Sequence, residues 1–242
     1  MIDRAPGFRR RFRVEPGPGR VRAAVEDDYH CMAVTLRHDG ARILAVESAM
    51  ERAPWSTCPG APVVLAATFT GTLLAEAVQR GAKQANCTHL HDLALLAAAH
   101  AADRAALTYD IRVSDPVDGL CHAEIARDGA TLLTLAHRDD VLVAPEAAAG
   151  ASLFKLRPWI QSLPDGLQEP ARLLQWGTIL GHGRSLPAEG QNDASRMPPN
   201  CYTFQEERKH VAQRIGQVLD FTRGERQPLD HLTADGFLRR ED

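Results

Sequence analysis

The sequence predicts an α+β fold: an antiparallel sheet built from two hairpin units around a central helical pair, with a C-terminal helical extension. Three observations lead there. Apolar residues alternate with period two in two separate blocks, before residue 50 and after residue 108. Each block contains an Asp-Gly pair, Asp39-Gly40 and Asp128-Gly129, and such pairs supply the positive φ values of tight hairpins. Between the blocks, Leu90, Leu93, Ala94, Leu96, Ala97 and Ala101 form a stripe at helical spacing.

Taken in order, residues 8–15 alternate as a strand, and Pro16-Gly-Pro-Gly19 turns the chain. Residues 20–26 and 29–37 are strands separated by Glu26-Asp-Asp28, and 43–50 returns after the Asp39-Gly40 turn. Pro54-Trp-Ser-Thr-Cys-Pro-Gly60 breaks the pattern. A helix is predicted from Pro62 to Arg80, with Gly81 as its stop, and a second over 88–106, with Thr88 as its N-cap. Strands resume at 108–114, 120–127, 131–136 and 141–143. Helices are expected at 153–163, 167–181 and 203–222, and a loop at 182–200. This gives an α+β core over 8–150 and a helical extension over 151–242, packed on the same domain. Cys31 to Gly40 and Cys121 to Gly129 look alike, as an ancient duplication or as two solutions to one hairpin problem.

The chain has 242 residues, 44% of them apolar and 24% charged, which excludes a mainly disordered, collagen-like or coiled-coil protein. With 28 basic against 31 acidic residues, it lacks the positive surface that nucleic acid requires. Seven arginines fall within the first 22 residues, at 4, 9, 10, 11, 13, 20 and 22. They read either as an anion-binding arm or, better, as the solvent face of a strand. The five cysteines are widely spaced and form no Cys-x-x-Cys pair, against a disulfide frame or a finger-type zinc site. No apolar signal core follows Met1, and the apolar stretches 61–77 and 93–102 are unsuited to a bilayer. A cytoplasmic protein with no membrane partner is expected, and the sequence is compatible with a homo-oligomer.

Neither a dinucleotide glycine motif nor a phosphate loop occurs, and no zinc-protease or serine-hydrolase motif. Three segments carry candidate chemistry. Cys87-Thr-His-Leu-His-Asp92 places His89 and His91 at a helix start, where the positive dipole end favours a neutral imidazole that accepts protons. A metal is the other reading, with Asp28, His30, Cys58 or His122 as third ligand. Residues two apart on a helix point about 200° away from each other, however, so a regular helix keeps the two rings from one ion. In the second segment, Ser56, Thr57 and Cys58 sit at a strand-to-helix junction where free amides bind anions and lower a thiol's pKa. A plain capping turn with a small buried cysteine is the alternative. In the third, Glu26-Asp-Asp-Tyr-His30 crowds three carboxylates, a phenol and an imidazole, a density suited to acid–base work or to a solvated turn. Arg52 is a candidate anion clamp, and Trp55 a ring for stacking.

At these residues the chain resembles a bacterial family known as domain of unknown function 2889. The likeness rests on Asp27-Asp-Tyr-His30, His38-Asp-Gly40, Arg52-Ala-Pro-Trp-Ser-Thr-Cys-Pro-Gly-Ala61 and Cys87-Thr-His-Leu-His-Asp-Leu93, and spans about residues 8–210. His89, Cys87, Cys58, Thr57 and Tyr29 match the motif positions, whereas His91 departs from them. The resemblance implies a place beside catabolic enzymes for aromatic or other ring compounds. A more distant likeness is to iron–sulfur scaffold proteins, which also place one cysteine at a helix start and another near a later helix, as Cys58 and Cys87 stand in this chain.

The expected function is a cofactor-independent enzyme acting on a small aromatic, lignin-type substrate. The reaction class is a lyase of retro-aldol or deformylating type, with isomerase or hydrolase next. His89 serves as base or acid, and Tyr29, His30, Asp28 and Cys58 as its catalytic partners. Arg52, Trp55, Thr57, Cys87 and His91 bind substrate. No metal or other cofactor is expected. The rivals are a metal or iron–sulfur carrier using Cys58, Cys87 and His89, and a non-catalytic small-ligand binder.

Overall fold

The computed structural model describes residues 5–185, 192–222 and 226–232. The fold is α+β, with one eight-stranded antiparallel sheet. Its strands are β1 (Gly7–Gly17), β2 (Arg20–Asp27), β3 (Cys31–His38), β4 (Ile43–Arg52), β5 (Leu107–Ser114), β6 (Leu120–Arg127), β7 (Ala130–Arg138) and β8 (Val141–Ala144). They follow the order β4-β3-β2-β1-β5-β6-β7-β8. The helices among the described residues are α1 (Ala61–Phe69), α2 (Leu74–Ala77), α3 (Thr88–Ala99), α4 (Arg157–Ser162), α5 (Asp165–Gly181) and α6 (Glu206–Lys209). None is long and apolar enough to cross a membrane.

The chain divides into two compact units. The first contains residues 1–11, 108–187 and 220–227, and the second contains 12–107, 188–219 and 228–242. In the second unit β2, β3 and β4 form a meander in which Val25 stands opposite Met32 and Leu36 opposite Val46. Helix α3 lies against β2 and β3, and α1 against β4. The predicted stripe explains this: Leu90, Leu93, Ala94 and Ala97 are fully buried, as are Val21, Val34 and Leu36 on the strands. Each buried leucine contributes about 1.5–3 kcal/mol relative to an exposed one. In the first unit α5 covers β6 and β7, with Ala171 and Leu174 buried on its inner side.

Several expectations are corrected. The helix predicted over 62–80 ends at Phe69, because the Gly71 N–H turns back to the Ile43 carbonyl (2.8 Å) and a separate turn, α2, follows. The helix predicted over 88–106 stops at Ala99, and the three backbone contacts of the His100 amide close it. The helix predicted over 203–222 is replaced by the single turn α6 and an extended run. There Ser56 N–H donates to the Gln213 carbonyl (3.0 Å) and Ile215 N–H to the Pro54 carbonyl (2.9 Å). Gly216, at φ +87°, bends that run where a Cβ would collide with the Ala53 carbonyl. The loop expected over 182–200 carries short 3-10 turns at His182–Arg184 and Ala194–Arg196, while 186–191 lie outside the described residues.

The arginine-rich start is only partly a solvent face, with Arg13 and Arg20 exposed. Arg9 and Arg10 are buried, and Arg9 donates to the carbonyls of Phe8 and Ala5. Arg11 meets Asp110 at 2.6 Å, and Arg13 meets Glu15 at 2.9 Å. Intramolecular carboxylates thus satisfy cations that an anion-binding arm would leave available. Arg4 lies outside the described residues.

Candidate functional site

The turn between β2 and β3 organises the site, and Asp27 organises the turn. Its Oδ1 accepts the amides of Tyr29 and His30, both at 2.8 Å, and the His30 ring Nδ1 at 2.9 Å. Because a carboxylate only accepts, Nδ1 carries the proton of that bond. Asp27 is fully buried and His30 is 6% exposed, so this is an oriented carboxylate–imidazole pair in a low-dielectric setting.

The start of α3 brings the second imidazole. The His89 ring stacks on His30 at 3.8 Å between centroids, with a 28° interplanar angle. Tyr29 stands edge-on to His30 at 6.2 Å. Residues about 60 positions apart in sequence therefore meet; the sequence reading had required Cys58 beside Tyr29, His30 and His89 as well. Asp27, His30 and His89 also hold ligating atoms within 4.8 Å of one another.

His91 goes elsewhere, as helical spacing dictates. It is buried, donates Nε2–H to the Gly81 carbonyl (2.8 Å) and meets the Phe69 ring edge-on at 5.3 Å. Burial holds its pKa below the ordinary 6.5 of histidine. It is a packing residue rather than a partner of His89 in binding substrate.

Arg52 is not available as an anion clamp. Its guanidinium donates to the carbonyls of Asp28 and Asp27, both at 2.8 Å, and to Glu26 Oε1 at 3.0 Å. It braces the turn from behind, and Leu219 N–H adds a bond to the Asp28 carbonyl at 2.8 Å. Asp28 itself is fully buried.

The Pro54–Gly60 segment forms a 3-10 turn, Cys58–Gly60, leading into α1. Three of its amides are engaged: Ser56 N–H with Gln213, Cys58 N–H with the Trp55 carbonyl (3.1 Å) and Gly60 N–H with the Thr57 carbonyl (3.2 Å). These three, the Cys58 amide among them, are therefore poor oxyanion donors. The Thr57 hydroxyl bonds Thr203 Oγ1 at 3.0 Å, and Cys58 Sγ lies 3.4 Å from the same oxygen. Burial pushes the Cys58 thiol up, outweighing the short helical turn expected to lower it. Burial also pushes Cys87 up to about 12, with Cys58 and Cys201 as electrostatic neighbours. These are packed thiols, not activated nucleophiles.

Two segments to which sequence reading gave no functional role complete the surroundings. Residues 201–204 clasp the Pro54–Gly60 turn, and the Tyr202 hydroxyl occupies the space a Cβ on Gly60 would fill. Tyr202 N–H donates to the Asn86 carbonyl at 2.9 Å, just ahead of α3. The extended run at 213–215 carries Arg214, whose guanidinium lies 5.4 Å from the Trp55 ring centre and 5.7 Å from that of Tyr29. Trp55 is itself buried, with Phe204 edge-on at 5.8 Å and Arg214 beside its ring. The signal for Arg214 was slight: Gly216 two residues on, a residue that disfavours the interior of a surface helix.

No model of a known protein family matches the chain, and no curated protein does.

Among the described residues, the ligating groups within reach of one another do not include a set of Cys58, Cys87 and His89. The set that contains His89 is the carboxylate and two imidazoles of Asp27, His30 and His89.

Proposed function

We propose that the protein is a small-molecule enzyme working by acid–base chemistry at the Asp27–His30–His89 cluster. The class is a carbon–carbon lyase of retro-aldol type on an aromatic substrate. The single observation that supports it most is the stacking of His89 on an imidazole whose tautomer Asp27 fixes. That pairing sets two imidazoles side by side, one of them tied to a buried carboxylate. In the reaction, one imidazole takes the proton of a substrate hydroxyl. The neighbouring carbon–carbon bond breaks as that carbon becomes a carbonyl and leaves as an aldehyde. The electron pair left on the other carbon then takes a proton from the second imidazole or from Tyr29. Arg214, rather than Arg52, offers the cation for a developing phenolate or carbanion. The likeness to the bacterial family points to ring-compound catabolism, an associational support.

The test begins with a thermal-shift screen of phenolic, hydroxylated and carboxylate ligands, followed by aldehyde detection on the hits. His89→Ala and His30→Ala each lower kcat by about 10²–10⁴-fold if the imidazoles move protons. Rates within twofold of the parent in both variants overturn the reading.

A second reading follows from the same geometry: Asp27, His30 and His89 suit a divalent metal. Its presence at stoichiometry in the purified protein, lost on chelation together with activity, would replace the cofactor-independent mechanism.

A further inference from the structure

We propose that His137, Asp140 and His182 form a second site, one that binds a divalent transition-metal ion of the zinc class. All three belong to the unit built around β5 to β8. One ligating atom from each lies within 4.8 Å of the others. His182 Nε2 and Asp140 Oδ1 are 3.2 Å apart, and the rings of His137 and His182 are 5.3 Å apart at their centres. Donors around a tetrahedral zinc stand about 3.3 Å apart, since zinc–nitrogen bonds are about 2.0–2.1 Å long. One pair already has that spacing, and small side-chain rotations bring the third donor in.

The decisive feature is His137. It is 2% exposed, and neither ring nitrogen has a hydrogen-bond partner among the described residues. A buried imidazole normally satisfies both nitrogens with protein or water. Here a ring nitrogen lies instead within 4.8 Å of a carboxylate oxygen and of a second imidazole nitrogen, the donor set that metals select.

The fold delivers each ligand separately. His137 lies near the end of β7, opposite Cys121 of β6 and therefore on the same sheet face. Asp139 and Asp140 form the two-residue turn into β8, with φ of 48° and 65°, the left-handed pair such turns require. That turn usually uses Asn-Gly, and two aspartates add negative charge beside His137 instead. His182 caps the C-terminus of α5, whose dipole end favours a cation. Burial, and after it the carboxylates of Asp115, Asp140 and Asp139, push the Cys121 thiol up. Three protein donors are one short of a tetrahedral set, and Asp140 and His182 are partly open to water, which could supply the fourth.

The test is a calorimetric titration of the chelator-treated full chain with Zn²⁺, run on the parent, His182→Gln, Asp140→Asn and His89→Ala. The two substitutions at partly exposed positions preserve the fold, as circular dichroism checks. The expected result is one equivalent whose affinity falls at least tenfold in His182→Gln and in Asp140→Asn, and is unchanged in His89→Ala. Parent-like binding in the first two variants overturns the site. So does an equivalent that only His89→Ala removes, which assigns the metal to the Asp27 cluster instead.

Discussion

His30 and His89 show how one side chain can matter through what it orients. Asp27 contributes no exposed surface, yet it holds the turn amides and the His30 ring together. Asp27→Asn keeps the size but can present its amide to Nδ1, selecting the wrong tautomer. We expect kcat to fall at least tenfold, with little change in the melting midpoint, measured by steady-state kinetics beside calorimetry. Arg214 offers a sharper contrast. Arg214→Lys keeps the charge but loses the flat cation beside Trp55 and Tyr29, so substrate affinity should weaken although the charge persists. The thiols give a chemical readout. With Cys87 held near 12 and Cys58 and Cys201 also raised, native protein should react slowly with iodoacetamide at pH 8 and completely once unfolded. Prompt modification of Cys58 in the native state would restore it as a nucleophile.

At the scale of elements, the strands and α3 were readable because each obeys one period, although α3 ends at Ala99, short of the predicted 106. The two Asp-Gly turns closed their hairpins, and the stripe through Leu90 and Leu93 became the buried face of α3. Truncating that face should be costly: Leu93→Ala removes a fully buried side chain and should lower stability by about 2–5 kcal/mol in denaturant unfolding. The stretch after residue 203 misled because Val211, Ile215 and Val218 imitate a helical face. In the folded chain all three are exposed, while backbone pairing with residues 54–56 fixes an extended course. Such long-range pairing leaves no trace in local periodicity. Arg52 was legible as a cation near the site, but not as one that the carbonyls of its own sheet would take up.

For the whole molecule, buried neutral imidazoles link folding to pH. The His91 pKa lies below 6.5 in the folded chain and returns to about 6.5 on unfolding. The unfolded state therefore binds the proton first as pH falls. Stability contributed by the neutral ring is intact above about 6.5 and declines below it, until the folded-state value is reached. Chemical denaturation at pH 7.5 and 5.5 should show a drop, and His91→Phe, which keeps an aromatic ring beside Phe69, should reduce it. An equal drop in that variant would place the linkage elsewhere. The candidate site was legible in the sequence as three separate motifs. That two of them close on each other, with the third kept to packing, depends on bonds that only the folded chain makes.

The turn at Glu26–His30 is translated early, but its fasteners arrive late. Leu219 supplies an amide to Asp28, and Leu229, 203 residues downstream, supplies one to Glu26 at 2.6 Å. A ribosome releases a chain from its N-terminal side onward, at about 5–20 residues per second. The bonds of Asp27 and Arg52 can form long before that, so only this outer clasp waits for Leu219 and Leu229 to emerge. A nascent chain stalled before residue 219 would carry every candidate residue and the inner bonds of the turn, but not these two.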